Sequence, residues 1–272
     1  MLSVNTNTSA LTALQYLTNT NSELQTTENA VSSGLKVSSA KDNGAIFAIA
    51  QNMRGNVAGY SAVTDSLNRG ISVVDTALSA AESVSDLLIQ MKANALSASD
   101  TSLDSTSRTS LAADFSALAA QITTIVKNAS FNGVNLVDGT HAAGISALAS
   151  ASDQSQTISV ADQDLTVATL NVGTAYTTAT TAATMVATVS AAIATVNTAL
   201  SALSSGSKKF SIQADFVSKL SDTLTTGIGN LVDADMAKES ALLTSLQTKQ
   251  QLGVQALSIA NSAPSTILSL FR

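Results

Sequence analysis

From Ile46 to Ala98 the sequence keeps a single rhythm. Ile46, Ile49, Met53, Tyr60, Val63, Leu67, Val74, Ala77, Ala81, Val84, Leu88, Met91, Ala95 and Ala98 follow one another at intervals built from three and four. Asn56 and Gly70 are the only poor core residues at the repeating positions. A stripe of this kind lies along one face of an α-helix and of nothing else. Its persistence predicts one long helix, or two nearly collinear ones, packed against other helices in coiled-coil fashion. The sole proline, Pro264, lies far from the stripe, so nothing interrupts it.

The rhythm recurs elsewhere. Leu111, Phe115, Leu118, Ile122, Ile125 and Ala129 predict a second, antiparallel helix after a loop at 100–107. Val186, Val189, Ile193, Val196, Leu200, Leu203, Phe210, Ala214, Val217, Leu224, Ile228 and Leu231 predict a third long one. Gly227 and Gly229 are expected to weaken its end. Three such stripes can bury one another in a bundle. Aromatic residues make up 3% of the chain and Trp is absent, so the core is built of small side chains that suit close helix contact better than a ligand pocket.

The two ends carry stripes that this bundle does not use. Leu11, Leu14, Leu17, Leu24 and Val31 run along a first helix whose other face is Asn, Thr, Ser and Gln, with Gly34 as its stop signal. Leu242, Leu243, Leu246, Leu252 and Leu257 mark a last one, followed by Ile267, Leu268, Leu270 and Phe271. Pairing these helices with each other leaves apolar side chains uncovered. The surplus predicts contact with further copies of the chain, and a contact repeated head to tail without closing gives a helical filament.

The middle differs. Asn132-Gly133 and Asp138-Gly139 are turn dipeptides around a short strand at 134–137. Residues 141–176 lose the helical period. The β-branched runs 157–160 and 165–172, separated by Ala161-Asp162-Gln163-Asp164, read as a hairpin. The Thr-rich stretch 174–184 reads as a linker or a frayed helix start.

Little here suits chemistry. His141 is the only histidine and there is no cysteine, so a zinc site, a catalytic triad, thiol chemistry and disulfides lack their parts. Asp162-Gln163-Asp164 and Asp233-Ala234-Asp235 lack the ligand series of a calcium loop. The second pair suits a helix start, where the dipole favours anions. Gly227 and Gly229 follow no strand, which argues against a phosphate loop. The reading is therefore no enzyme, no cofactor and no metal. A formal charge of −6, with no Lys or Arg between Lys127 and Lys208, argues against nucleic acid and an anionic membrane surface. No apolar run approaches about 18 residues, so no membrane span is expected. The opening MLSVNTNTSALTALQ lacks the features of a cleaved secretory signal.

The motifs VNTNTSALTAL, SSGLKVSSAKDNGAIFAIAQNM, DSLNRGISVVDTAL and FNGVNLVDG resemble the N-terminal half of bacterial flagellins. NLVDADMAKESALLTSLQTKQQLGVQAL and the ending LSLFR resemble the C-terminal half. Their order at both ends is specific, and the wording together with the short middle resembles alphaproteobacterial flagellins. The fold expected is mainly α: a long antiparallel bundle and coiled coil from both chain halves, with a small β-hairpin insert. Residues 1–38 with 235–272 would form a terminal coiled-coil domain, 39–140 with 177–234 a helical bundle, and 141–176 a surface insert.

The resemblance implies a structural subunit of the flagellar filament, exported unfolded and assembled outside the cell for swimming. It implies partners: many copies of itself and sibling flagellins, an export chaperone and secretion apparatus, and the filament cap and hook-associated proteins. A hook–filament junction protein and a non-polymerising secreted helical adhesin are the alternatives. Many flagellins read LQRVRELAVQ where the Toll-like flagellin receptor binds. This chain reads LIQMKANALS from Leu88 to Ser97: Lys92 keeps one positive charge, while Gln90 replaces the other arginine, Ala93 the glutamate and Asn94 the following leucine.

Overall fold

A computed structural model describes residues 6–268, with side chains through Ser262. The elements in chain order are α1 (Thr8–Ser33), α2 (Gly44–Ala98), α3 (Ser105–Asn128), β1 (Ser130–Phe131), β2 (Val134–Asn135), β3 (Ile145–Leu148), β4 (Thr157–Val160), α4 (Ala179–Val232) and α5 (Met236–Leu268). The chain forms two compact units: Met1–Gly55 with Thr223–Arg272, and Asn56–Asp222.

The second unit is built on the long stripe. Leu67, Val74, Ala81, Val84, Leu88 and Met91 of α2 are sealed from solvent. So are Phe115 and Ile122 of α3, and Val189, Val196, Leu203 and Phe210 of α4. α2 is one helix of 55 residues, the first of the two forms its rhythm allows. The helices tolerate their many hydroxyl residues because Ser and Thr turn back on the preceding turn. Thr76, Ser116 and Ser190, for example, each donate to the carbonyl four residues earlier.

Local chemistry sets the boundaries. Asp104 accepts the Ser107 N–H at 2.7 Å and starts α3 inside the expected loop. Hydrogen bonds from both Ser107 groups hold its carboxyl below the ordinary Asp range. Arg108 closes the turn between α2 and α3. Its guanidinium donates to the carbonyls of Ala98, Asp100 and Leu103 at 2.8–3.0 Å, satisfying chain-end acceptors that no helix partner reaches. α4 begins within the Thr-rich stretch, where Thr178 Oγ1 accepts the Thr181 N–H at 3.2 Å.

Two small antiparallel strand pairs complete this unit. β1 and β2 meet across Asn132-Gly133, both with positive φ, as an Asn-Gly hairpin requires. The buried Asn135 ties this hairpin to α3. Its Nδ2 donates to the Val126 carbonyl at 2.6 Å, and its Oδ1 accepts the Val137 N–H at 2.9 Å.

The expected hairpin between 157–160 and 165–172 does not form. β4 pairs instead with β3, Ile145 opposite Val160 and Leu148 opposite Thr157. Residues 165–172 turn because Leu165, Leu170 and Val172 are all buried, a spacing that no flat strand can direct to one side. Asp164 fixes the turn through the Thr166 N–H at 2.9 Å, and Asn171 adopts a left-handed φ of 56°.

By length and composition, Ser105–Asn128 and Ala179–Val232 are apolar enough to cross a membrane, although neither contains a long unbroken apolar run. Much of that apolarity is alanine interleaved with Ser and Thr. Their large apolar residues line the core just described.

In the first unit α1 and α5 run antiparallel. Asn7 Nδ2 donates to the Ala260 carbonyl at 2.6 Å, and Gln250 Nε2 donates to Asn21 Oδ1 at 2.7 Å. A bridge joins Leu35 to Asp233. Gly34 ends α1 in the left-handed conformation, with φ 71° and its N–H on the Ala30 carbonyl. The released chain exchanges backbone bonds with the α4–α5 connection: Lys36 and Val37 donate to Val232, and Ala234 donates to Gly34. Val37, Ala50 and Val232 form a small core with Leu35, Ile46, Phe47, Ile228 and Leu231. α4 continues through Gly227 and Gly229 to Val232; the Met53 side chain lies over Gly227, where a Cβ would sit 3.0 Å from its Cε. Asp235 then starts α5, its carboxylate accepting the N–H groups of Ala237 and Lys238 at 3.1 and 3.2 Å.

Candidate functional site

The residues that merit a functional reading are the apolar ones that α1 and α5 leave uncovered. At their mutual seam Leu24 and Leu246 are buried, 8% and 1% exposed. Leu17, Val31, Leu243 and Leu257 are half-buried. Leu17 settles against Gly253, where a Cβ would meet its Cδ1 at 3.2 Å. Leu11, Leu14, Leu242 and Leu252 turn outward, with Leu14 48% and Leu252 58% exposed. Tyr16, Val254 and Ile259 join them on the surface. Ile267, Leu268, Leu270 and Phe271, expected at the subunit interface, lie outside the residues whose side chains are described.

Shallow grooves run along this pair. One of about 460 Å³ is lined by Thr8, Ser9, Thr12, Ala13, Tyr16, Gly253 and Ala256. Another of about 380 Å³ includes Ala10, Leu11, Leu14 and Leu257. Small residues on the groove floors admit close approach by another helix, as ridges enter grooves in helix packing. Charges are sparse. α1 carries only Glu23 and Glu28, and the described side chains of α5 include only Lys238, Glu239 and Lys249 as charged groups. Identical surfaces brought together therefore meet little like-charge repulsion.

The two polar clips, Asn7 to Ala260 and Gln250 to Asn21, fix the register of the pair. The sequence gives no sign of them, because Asn7 reads only as a helix cap and Gln250 as an ordinary polar residue, with nothing local to name their partners.

The chemical candidates fall elsewhere. His141 is half-buried, with Nδ1 3.0 Å from Thr140 Oγ1. Among the described residues no group of three His, Cys, Asp or Glu is placed to hold a metal ion. Among the described residues Asp162 has a buried Oδ1 without a hydrogen-bond partner, and burial pushes its carboxyl above the ordinary range. On α2, Gln90, Lys92 and Ala93 are exposed, whereas Asn94 is half-buried and accepts a hydrogen bond from the Tyr176 hydroxyl.

Residues 4–142 match the bacterial flagellin N-terminal helical region, and residues 186–271 match the bacterial flagellin C-terminal helical region. The chain belongs to the flagellin family. It is 48% identical over 270 residues to flagellin FljM of Caulobacter vibrioides, covering 99% of this chain and 98% of the relative. It is 37% identical to a flagellin of Brucella melitensis, with all of both chains covered. A crystal structure of Bacillus cereus flagellin aligns with 65% of this chain and 93% of its own, at 22% identity and a TM-score of 0.40. As a flagellin, the chain is a structural subunit of the bacterial flagellar filament, and its polymer is extracellular. The unmatched residues between the two regions, 143–185, contain β3, β4 and the turn at 165–172.

Proposed function

We propose that the α1–α5 pair is the principal surface through which copies of this flagellin polymerise. The observation that carries this reading is the division of its leucines. Leu24 and Leu246 close the pair within the chain, while Leu11, Leu14, Leu242 and Leu252 stay open on its outside. A pair that satisfied itself would bury both sets. In this reading residues 1–38 with 235–272 are the inner coiled-coil domain, 39–140 with 177–234 the surrounding bundle, and 141–176 an outward insert. Ile267, Leu268, Leu270 and Phe271, outside the described side chains, are counted by this reading among the subunit contacts. The chain leaves the cell unfolded, through the flagellar secretion apparatus and with an export chaperone. It meets sibling flagellins, the filament cap and hook-associated proteins at the assembly end. Its role in this reading is structural and not catalytic. Gln90, Lys92, Ala93 and Asn94 make it a weak ligand for the Toll-like flagellin receptor.

Sedimentation of purified monomer mixed with short filament seeds tests the reading. Conversion of most of the protein into long filaments is expected. Protein that stays in the supernatant would overturn it in favour of a secreted adhesin. Growth that stops after a few added layers would favour a hook–filament junction role.

A further inference from the structure

Two Asn-Gly pairs occur in the chain, Asn43-Gly44 and Asn132-Gly133, and both asparagines are exposed. Glycine after asparagine leaves the next backbone nitrogen unshielded by a Cβ. Composition and exposure therefore make the two pairs equivalent. The fold does not. Asn43 caps α2: its Oδ1 accepts the Ile46 N–H at 3.1 Å, its carbonyl accepts the Phe47 N–H, and Gly44 is the first residue of the helix. Asn132 sits at the tip of the β1–β2 hairpin with φ 50°, followed by Gly133 at φ 80°. Among the described residues, neither its carboxamide nor the Gly133 N–H takes part in a hydrogen bond. Each flanking strand is two residues long, so opening this turn disturbs little structure.

We propose that Asn132 is a site of spontaneous deamidation in the folded protein and that the α2 cap shields Asn43 from the same reaction. The Gly133 amide nitrogen, losing its proton to solvent, attacks Cγ of Asn132. The N–Cγ bond forms, the Cγ–Nδ2 bond breaks, and the side-chain nitrogen leaves as ammonia after taking up a proton. Water then opens the cyclic imide at either carbonyl, giving aspartate or isoaspartate, with no oxidant or reductant involved. Either product places a new carboxylate in the groove that Asn132 shares with Arg69. Isoaspartate also adds a methylene to the main chain at a two-residue turn, a length that the Phe131–Val134 pairing does not accommodate.

The test is peptide mapping by mass spectrometry of purified monomer aged in mildly alkaline buffer, native and in denaturant, with isoaspartyl methyltransferase labelling of the same samples. In the native chain Asn132 should convert roughly tenfold faster than Asn43, the factor that disengaging a helix cap supplies. In denaturant the two rates should converge. Equal native rates, faster conversion at Asn43, or an Asn132 that stays intact while the denatured chain reacts would each overturn the proposal. The variant Gly44→Ala, which retains the Asn43 cap, checks that native conversion at Asn132 is independent of the other pair.

Discussion

The Tyr176 hydroxyl donates a hydrogen bond to Oδ1 of Asn94, and its ring meets Phe115 edge-on with centroids 5.4 Å apart. Asn94 stands where flagellins reading LQRVRELAVQ carry a leucine, so a residue that departs from that motif has a partner within its own chain. Tyr176→Phe keeps the ring and strands a half-buried acceptor, which is expected to lower stability by about 1–3 kcal/mol. Urea denaturation followed by circular dichroism would measure it; an unchanged midpoint would contradict it.

The same tyrosine predicts an alkaline limb. Burial, helped by the Asp114 charge, raises its pKa from 10.0 to about 12. A pKa raised by folding stabilises fully below the unfolded value and is lost as pH climbs through the folded one. The contribution is therefore whole below about pH 10 and falls away between about pH 10 and 12, by on the order of 2 kcal/mol. Tyr176→Phe should remove this limb from a stability–pH curve while leaving the acid side unchanged.

Gly206 lies on α4 beneath Val160 of β4, and a Cβ there would fall 2.6 Å from Val160 Cγ2. In an exposed helix, Gly→Ala gains up to about 1 kcal/mol. Here a branched, buried side chain stands in the way, and overpacking of this kind costs about 1–3 kcal/mol. Gly206→Ala should therefore be destabilising or at best neutral, the reverse of the propensity expectation. Its melting temperature against wild type decides the sign.

Asn135→Ala removes both a donor to Val126 and an acceptor for Val137 in a buried position. Leaving those backbone groups unpaired is expected to cost about 2–4 kcal/mol. Hydrogen exchange should quicken at Val137 and in the hairpin before it does in α2.

Gln90 and Ala93 are exposed, so Q90R with A93E can restore the charged pair of the receptor motif without disturbing the core. Two charge-assisted bonds at about 1.5–3 kcal/mol each correspond to roughly a hundredfold or more in affinity. A reporter assay should show that gain, and unchanged potency would contradict the assignment. Asn94→Leu is best omitted from the set, because it removes the partner of Tyr176.

The helices were legible because their signals are local and redundant. The stripe from Ile46 to Ala98 sets α2, and Gly34 sets the end of α1. Asp235 opens α5 where an acidic residue suits a helix start. The partner of β4 was not legible. Residues 165–172 have the composition of a strand, and only the three-dimensional core shows that Leu165, Leu170 and Val172 must all turn inward. Along the terminal pair, heptad spacing marks Leu14 and Leu24 alike. Which one meets α5 and which one faces solvent depends on a register fixed by Asn7 and Gln250, whose partners lie at the far end of the sequence.

The outward leucines of the terminal pair offer the most direct test. Leu14→Gln with Leu252→Gln changes two exposed side chains, so α1 and α5 can still meet at Leu24 and Leu246. Burial of each leucine in a polymer is worth about 2 kcal/mol per copy, a sizeable share of what association must overcome. Electron microscopy of the seeded double variant, with circular dichroism confirming wild-type helix content, is the measurement. The account predicts folded monomer and no elongation from the seeds. Filaments of normal length from a folded double variant would contradict it.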